Sequence, residues 1–145
     1  MTFTIKECSE NSIVLRPRLE LYQVRDYMGQ SLPGLAIVLD KVDGEEIEQF
    51  AVLTVSFGDF ISAKNCAYVD LNNCTFAPIL LEHGVARDTG LKKTSGYCAY
   101  PLWQFDAHFL QEIGNENYQK YADAYTNYMN GMLDGDECDE EDEDE

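Results

Sequence analysis

The sequence contains no long apolar run. Its first residues, MTFTIKECSENSIVLRPR, lack the apolar core of a signal peptide. No segment approaches the roughly 20 consecutive apolar residues that a membrane-spanning helix needs. The sequence therefore predicts a soluble protein, which we expect in the cytoplasm and without contact with a membrane.

Cysteine and histidine are also sparse, and their spacing argues against two kinds of cross-link. The five cysteines are an odd number without close pairs, which favours reduced thiols over a secreted disulfide framework. Structural zinc sites usually bring their ligands in pairs two to four residues apart. Such pairs do not occur among Cys66, Cys74, His83, Cys98 and His108. We therefore expect no metal ion and no cofactor.

Positive charge is scarce as well. The chain has 10 Lys and Arg against 27 Asp and Glu, a formal net charge of −17 at pH 7. Because ten of the acidic residues lie in 134–145, a charge of −7 remains on residues 1–133. Such a field repels nucleic acid and attracts a basic protein surface. Direct nucleic-acid binding is therefore not expected. A second interpretation is that the charge only maintains solubility.

Composition divides the chain at residue 133. The apolar fraction of 45% and the aromatic fraction of 12% are enough for the core of a single globular domain, predicted at 1–133. The last residues, DGDECDEEDEDE, have almost no apolar side chains, which predicts a disordered polyacidic tail over 134–145. The candidate partner-binding residues of this tail are Asp134, Asp136, Glu137, Asp139, Glu140, Glu141, Asp142 and Glu143.

The N-terminal part of the chain has the period-two pattern of a strand. Residues 12–24 are rich in β-branched and aliphatic residues, and Leu19 and Leu21 alternate with Arg18 and Glu20, which predicts a half-buried strand. Pro17 indicates an edge position or a strand start, because proline cannot donate to a ladder. The Gly and Pro content of residues 27–34 predicts a loop.

A hairpin is predicted next. Residues 35–40 and 50–57 are apolar and flank a segment that contains Asp43-Gly44, a strong turn dipeptide. The second of these strands is apolar at nearly every position and is therefore expected to be central in the sheet. A further short strand is predicted over 66–73, ending in an Asn-Asn turn.

The middle of the chain mixes helix and strand signals. Residues 76–84 predict a short helix that ends at Gly84. The polar segment 85–95 is predicted to be a loop. The aromatic-rich segment 96–105 predicts a last strand, with Pro101 at its edge or end.

Two helices are predicted at the C-terminal end. Asp106 is the expected N-cap of the first, and Gly114 is expected to end it. Asn115 is expected to cap the second. Together these elements predict an α+β fold with a mainly antiparallel sheet of four or five strands, a short connecting helix and two C-terminal helices.

The last predicted helix has an aromatic face. Its tyrosines recur at intervals of three and four residues, and they are Tyr118, Tyr121, Tyr125 and Tyr128. Because each ring is apolar and each hydroxyl needs a partner, the face is either a partly hydrated seam against the sheet or an exposed docking surface. These tyrosines are the second set of candidate partner-binding residues.

Catalysis is not expected. Cys98 with His83 or His108 would supply a thiol and an imidazole, but the pair needs a hydrogen-bonding geometry that no motif indicates. The segment GVARDTGLKKTSG has glycines and lysines, but its glycine spacing and Leu91 in place of the lysine exclude a P-loop. Cys98 is more typical of a small buried strand residue.

Four consecutive blocks resemble a known family: FAVLTVSF, AYVDLNN, FAPILLEHGVARDTG and SGYCAYPLWQFD. They are similar to an uncharacterised domain-of-unknown-function family of small proteins carried on conjugative elements and phages of gut bacteria. The resemblance covers about residues 35–110. It implies no established activity, but this genetic setting implies an accessory or anti-defence role.

Two function hypotheses follow. The first is a non-enzymatic acidic protein-binding factor of a mobile element or phage, including a DNA mimic that inhibits a host defence nuclease of the anti-restriction or anti-CRISPR type. Its partner would be a basic protein surface of a nucleic-acid-binding defence protein. The second is a generic interaction or structural accessory protein that docks through its Tyr/Met-rich C-terminal helix.

Overall fold

The computed structural model describes residues 2–6 and 12–134, with no side chains described at 6 and 132–134. Within these residues the chain forms eight strands and three helices. In chain order they are β1 (Phe3–Lys6), β2 (Ser12–Arg25), β3 (Ser31–Asp43), β4 (Glu46–Val52), β5 (Thr54–Val55), β6 (Cys66–Val69), α1 (Pro78–Glu82), β7 (Ala86–Ser95), β8 (Cys98–Phe105), α2 (Ala107–Gly114) and α3 (Glu116–Asp134).

The strands form two antiparallel four-stranded sheets. The order is β1-β2-β3-β4 in the first sheet and β5-β6-β8-β7 in the second. The predicted α+β class is confirmed, as are the short connecting helix and the C-terminal helices. The strands divide between two sheets, whereas the sequence had indicated one sheet of four or five strands.

The alternation predicted for the N-terminal strand is confirmed in β2. Ile13, Leu15, Pro17 and Leu19 are buried, and the residues between them are exposed or half-buried. The edge position that Pro17 indicated is wrong for the strand as a whole, because β2 lies between β1 and β3. Pro17 is nevertheless tolerated, since the pairing with β1 ends at Leu15 and no described residue pairs with Pro17 on that side.

The predicted loop over 27–34 is wrong in its extent, because β3 begins at Ser31. The turn is short because the Asp26 carboxylate accepts hydrogen bonds from the backbone N–H groups of Met28 and Gln30, at 2.9 and 2.8 Å. Pro33 fits into the strand because the described pairing of β3 with β4 begins only at Val38.

The Asp43-Gly44 hairpin is confirmed, with Gly44 at φ 63°. The predicted central strand after it is wrong: β4 is an edge of the first sheet and β5 an edge of the second. Leu53 lies between β4 and β5, and its backbone forms hydrogen bonds with both sheets. Its N–H donates to Ile37 O at 2.9 Å, and its carbonyl accepts from Asp70 N at 2.8 Å. The apolar run reflects this burial between two sheets.

The polar loop predicted at 85–95 is also wrong, because these residues form β7. The strand is polar because it is an edge that pairs with β8 alone among the described strands, with a register shift between Asp88 and Lys92. Most of its side chains are exposed. Edge strands commonly carry charged residues and bulges, which oppose unwanted pairing.

The last predicted strand is present as β8, but the edge or end position predicted for Pro101 is wrong, because Pro101 lies in the middle of a strand between β6 and β7. Proline is tolerated there because the described pairing of β8 with β6 reaches only Leu102.

Three further local predictions are confirmed. The strand β6 ends at a turn in which the Asp70 carboxylate accepts from the backbone N–H groups of Asn72 and Asn73, both at 3.1 Å. The helix α1 is followed by Gly84 at φ 75°. Asp106 caps α2 through a hydrogen bond from Phe109 N at 3.1 Å.

The core lies where the two sheets and the C-terminal helices meet. Its fully buried side chains include Trp103, Phe105, Leu15, Ile37, Leu39, Leu53 and Leu80. The helix α2 packs on β2, and α3 packs on β2 and β3. At this contact the Asn117 side-chain amide donates to Leu19 O at 2.8 Å. The two C-terminal helices therefore pack on one face of the first sheet.

Candidate protein-binding surface

The predicted acidic tail lies almost entirely outside the described residues. Asp134 is the last residue of α3, and nothing is described of its side chain. The other predicted tail residues, Asp136, Glu137, Asp139, Glu140, Glu141, Asp142 and Glu143, lie beyond it. The predicted disorder of the tail and its role in partner binding therefore stay predictions.

The tyrosine face of α3 packs against the body of the same chain. Tyr118 and Tyr121 are buried, and Tyr125 and Tyr128 are half-buried. Rings along the face contact one another, with centroids 6.2 Å apart for Tyr118 and Tyr121. Phe60, from the segment between β5 and β6, packs on Tyr128 with a centroid distance of 4.7 Å. The face is therefore a seam, the first of the two interpretations that the sequence allowed.

Each hydroxyl of this seam has a partner in the chain. The Tyr118 hydroxyl donates to the Asn65 side-chain oxygen at 3.0 Å, and the Tyr121 hydroxyl accepts from Asn65 N at 2.9 Å. The Tyr125 hydroxyl donates to the carbonyl of Ser62. The Tyr128 hydroxyl donates to an Asp26 carboxylate oxygen at 2.8 Å.

These environments raise the pKa of three hydroxyls. Burial raises the pKa of Tyr121 and of Tyr125, and the hydrogen bond to Asp26 raises the pKa of Tyr128. These three tyrosines therefore remain neutral at physiological pH. Partner binding by the four tyrosines stays a prediction, but their hydroxyls are already engaged within the chain.

A cavity of about 320 Å³ opens beneath the segment between β5 and β6. Its walls include apolar side chains of both sheets, such as Val24, Leu35 and Leu102. At its rim, the Lys93 ammonium lies 3.2 Å from the Asp59 carboxylate and 4.7 Å from the centroid of the Phe57 ring. The sequence had predicted strands over 50–57 and 66–73 and no element between them.

The strand β4, one edge of the first sheet, is largely exposed. The first five residues of β4 are all exposed, and Ile47 retains 49% of its accessible surface. The edge and its turn carry four exposed carboxylates, those of Asp43, Glu45, Glu46 and Glu48. None of the four forms an ion pair with a side chain that the structure describes.

A shallow groove of about 600 Å³ continues this edge past β4. One wall is the chain from Phe50 to Ser56, and the other includes Asp70 and Asn73. The ring of Phe50 packs on Phe76, with centroids 6.2 Å apart. The open edge and the groove form one continuous surface from the β3–β4 turn to Ser56, which we call the β4 surface.

The structure separates the thiol and the imidazoles that the sequence had suggested as a pair. Cys98 is the first residue of β8 and Phe105 is the last. They are seven positions apart, so the two ends of the strand are separated by roughly 24 Å at about 3.4 Å per residue. His108 follows Phe105 in the first turn of α2. His83 ends α1, shortly before Ala86, which pairs with Phe105. Both histidines therefore lie at the far end of β8.

Two further features bear on the sequence predictions. Among the described residues, no group of three or more His, Cys, Asp or Glu side chains could hold a metal ion. In the same part of the chain, no helix combines the length and apolarity needed to cross a membrane.

Comparison with known proteins gave one result. A family model with the description "Domain of unknown function (DUF4313)" matches residues 21–125, well over half of the chain. The comparisons with curated proteins and with solved structures gave no match. The matched range contains residues 35–110, which carried the resemblance to a domain of unknown function, and that part of the prediction is confirmed.

Proposed function

We propose that this chain, which belongs to the DUF4313 family of domains of unknown function, is a non-enzymatic acidic protein-binding factor. The observation that carries the proposal is the set of four exposed carboxylates around the β3–β4 turn, without ion pairs to any described side chain. Uncompensated charge of one sign attracts a surface of the opposite sign and steers it into contact. The partner is therefore a basic protein surface.

The finer proposal concerns the partner's identity. We place the chain among the factors of mobile elements and phages that inhibit host defence, as a DNA mimic bound to a basic nucleic-acid channel. The net charge of −17 supports this, because proteins that bind DNA do so through Lys and Arg. The acidic residues after 134 add to the same field and would strengthen capture at low salt.

One observation favours the second candidate, an accessory protein that docks near its Tyr/Met-rich C-terminal helix. Tyr27 and Met28 in the β2–β3 turn are 84% and 76% exposed. Tyr27 also lines a pocket of about 390 Å³ together with Tyr128 and Met129 of α3. Tyrosine and methionine are enriched in protein interfaces. Docking there would resist salt, in contrast to capture by carboxylates.

Affinity capture tests the proposal. The full chain and a chain ending at Leu133 are used as bait in a bacterial lysate, at low and high salt, with duplex DNA as competitor. The proposal predicts that a nucleic-acid-binding protein is retained, released by salt and displaced by the DNA. Retention that neither salt nor DNA affects would overturn it in favour of docking at Tyr27 and Met28.

A matched pair of variants locates the capture on the chain. Glu46→Gln with Glu48→Gln removes two charges from the β4 surface, and Glu82→Gln with Glu116→Gln removes two from the helices. We expect the first pair to weaken capture more than the second. Equal weakening by both pairs would show that net charge, and not the β4 surface, attracts the partner.

A further inference from the structure

No strand among the described residues pairs with the outer side of β4, which leaves backbone hydrogen-bonding groups there without a described partner. Asp43 and Glu46 pair across the two-residue turn of the hairpin, so these two exchange hydrogen bonds and the pattern alternates along the ladder. Ile47 and Gln49 are then the residues whose N–H and C=O groups point away from β3. Such an edge is a template for a further strand.

The side chains of this edge alternate in chemistry. Ile47 pairs with Val42, which pairs with Val14 of β2, so an apolar row crosses three strands and ends at the edge. Glu46 and Glu48 point to the other face of the same strand. A strand added at β4 would therefore place apolar side chains next to Ile47 and basic side chains next to the two glutamates.

We propose that the β4 surface binds an extended basic segment of a protein partner as a fifth strand of the first sheet, with lysine or arginine alternating with apolar residues. The inference rests on the proposed function and adds the mode of binding. The groove along Phe50 to Ser56 extends the site beyond the strand, and Asp70 at its wall supplies a further carboxylate for a basic side chain.

Charge complementarity decides against a second copy of this chain as the occupant. Two copies paired through β4 would bring Glu46 and Glu48 of one copy next to the same residues of the other. Like charges on adjacent strands destabilise the pairing. A basic segment instead gains both the backbone hydrogen bonds and the attraction to the glutamates.

The test uses a fluorescein-labelled nine-residue peptide in which lysine alternates with valine and threonine. Ile47→Pro removes one of the two outward N–H groups while proline's ring is tolerated on an open edge, and Ile47→Thr is the matched control. We expect Ile47→Pro to weaken peptide binding by about tenfold or more relative to Ile47→Thr. In the wild type, the peptide should slow hydrogen exchange at the Ile47 and Gln49 amides.

A second peptide guards against misfolding of the proline variant. It carries N-methyl groups on alternate amides, so it cannot pair with an edge although the wild-type protein is unchanged, and we expect it not to bind. Equal binding of the two peptides to the wild type would overturn the inference, and so would equal binding of the first peptide to the two variants when Ile47→Pro is folded. Failure of the first peptide to bind the wild type would also overturn it. The same holds if hydrogen exchange at Ile47 is slow because the protein self-associates, as measured by sedimentation.

The same variants separate this inference from the proposed function. If lysate capture is lost in Glu46→Gln with Glu48→Gln but persists in Ile47→Pro, the partner binds through the acidic side chains and the proposed strand addition is wrong. If capture persists in both, the proposed function is wrong as well.

Discussion

The backbone N–H of Asn65 donates to the hydroxyl of Tyr121 at 2.9 Å, across 56 positions of the sequence. Asn65 has φ 67°, and its side-chain oxygen accepts from the Tyr118 hydroxyl at 3.0 Å. Two tyrosines of α3 thus hold the residue that leads into β6. This relationship connects the C-terminal helix to the second sheet through polar contacts within an apolar seam.

Removal of the Tyr121 hydroxyl tests this connection. Tyr121→Phe keeps the ring but leaves the N–H of the half-buried Asn65 without its acceptor, and a fully buried donor without a partner costs about 1–3 kcal/mol. We expect the free energy of unfolding, measured by urea denaturation, to fall by such an amount. Tyr97→Phe is the control, because the Tyr97 side chain is fully exposed. An equal loss in both variants would contradict the role of the seam.

Two glycines of the C-terminal helices should respond oppositely to alanine. A Cβ at Gly114 would lie 2.5 Å from Leu19 Cδ2 and 3.1 Å from Tyr118 Cβ, and overpacking of this kind costs about 1–3 kcal/mol. We expect Gly114→Ala to lower the thermal unfolding midpoint, although alanine favours helix by about 1 kcal/mol.

Gly131 is the matched position, because a Cβ there would meet nothing within 4 Å. Gly131→Ala should therefore leave the midpoint unchanged or raise it, because alanine adds at most about 1 kcal/mol of helix propensity to the free energy of unfolding. A stabilised Gly114→Ala would show that Leu19 moves aside without cost and that the packing of α2 on β2 is looser than the structure indicates.

The Arg18 and Asp40 pair spans β2 and β3. Arg18 Nε donates to Asp40 Oδ2 at 2.8 Å, and the carboxylate is mostly buried while the arginine is 39% exposed. Solvent screening of the arginine reduces the interaction to about 1 kcal/mol. A double-mutant cycle with Arg18→Gln and Asp40→Asn should give this coupling energy, and it should decrease in 1 M salt. A coupling of zero at low salt would show that the pair adds nothing to stability.

Alkaline pH should weaken the fold through Cys74. Burial, with the Asp70 carboxylate nearby, raises the pKa of the Cys74 thiol from 9.0 to about 11. Because the folded pKa is above the unfolded pKa, the stability contributed by the neutral thiol is complete below pH 9. It is lost as pH rises towards 11.

The measurement is urea unfolding of the wild type and of Cys74→Ala from pH 7 to pH 11. The variant loses packing and the contact of the thiol with Val52 O, 3.6 Å away, so it should be less stable at pH 7. The difference between the two proteins should shrink between pH 9 and 11. A difference that stays constant over this range would contradict the raised pKa.

Local rules predicted the elements whose cause is local. The Asp43-Gly44 turn, the Asp106 cap and the helix α3 each depend on neighbours within a few residues. The tyrosine stripe was also visible in the sequence, because a helical period needs no tertiary information. Its partner, Asn65, was not visible, because no local pattern relates residues 56 positions apart.

The candidate surface shows the same limit. The sequence places Glu46 and Glu48 next to a predicted turn. It predicted a central strand over the following segment, 50–57, because that segment is apolar. Strand order depends on which strands pair, and that choice is made by long-range burial. Only the structure shows that β4 is an edge and that Leu53 carries the chain to a second sheet.

The amino-acid sequence by itself determined the α+β class, the acidity of the chain and the aromatic face of its last helix, because composition and short periodicities produce these directly. The tertiary structure decided which tyrosine hydroxyls are engaged, which strand remains open and where the chain passes between the sheets. These features follow from the competition of distant segments for buried surface and hydrogen-bond partners, which no short stretch of sequence contains.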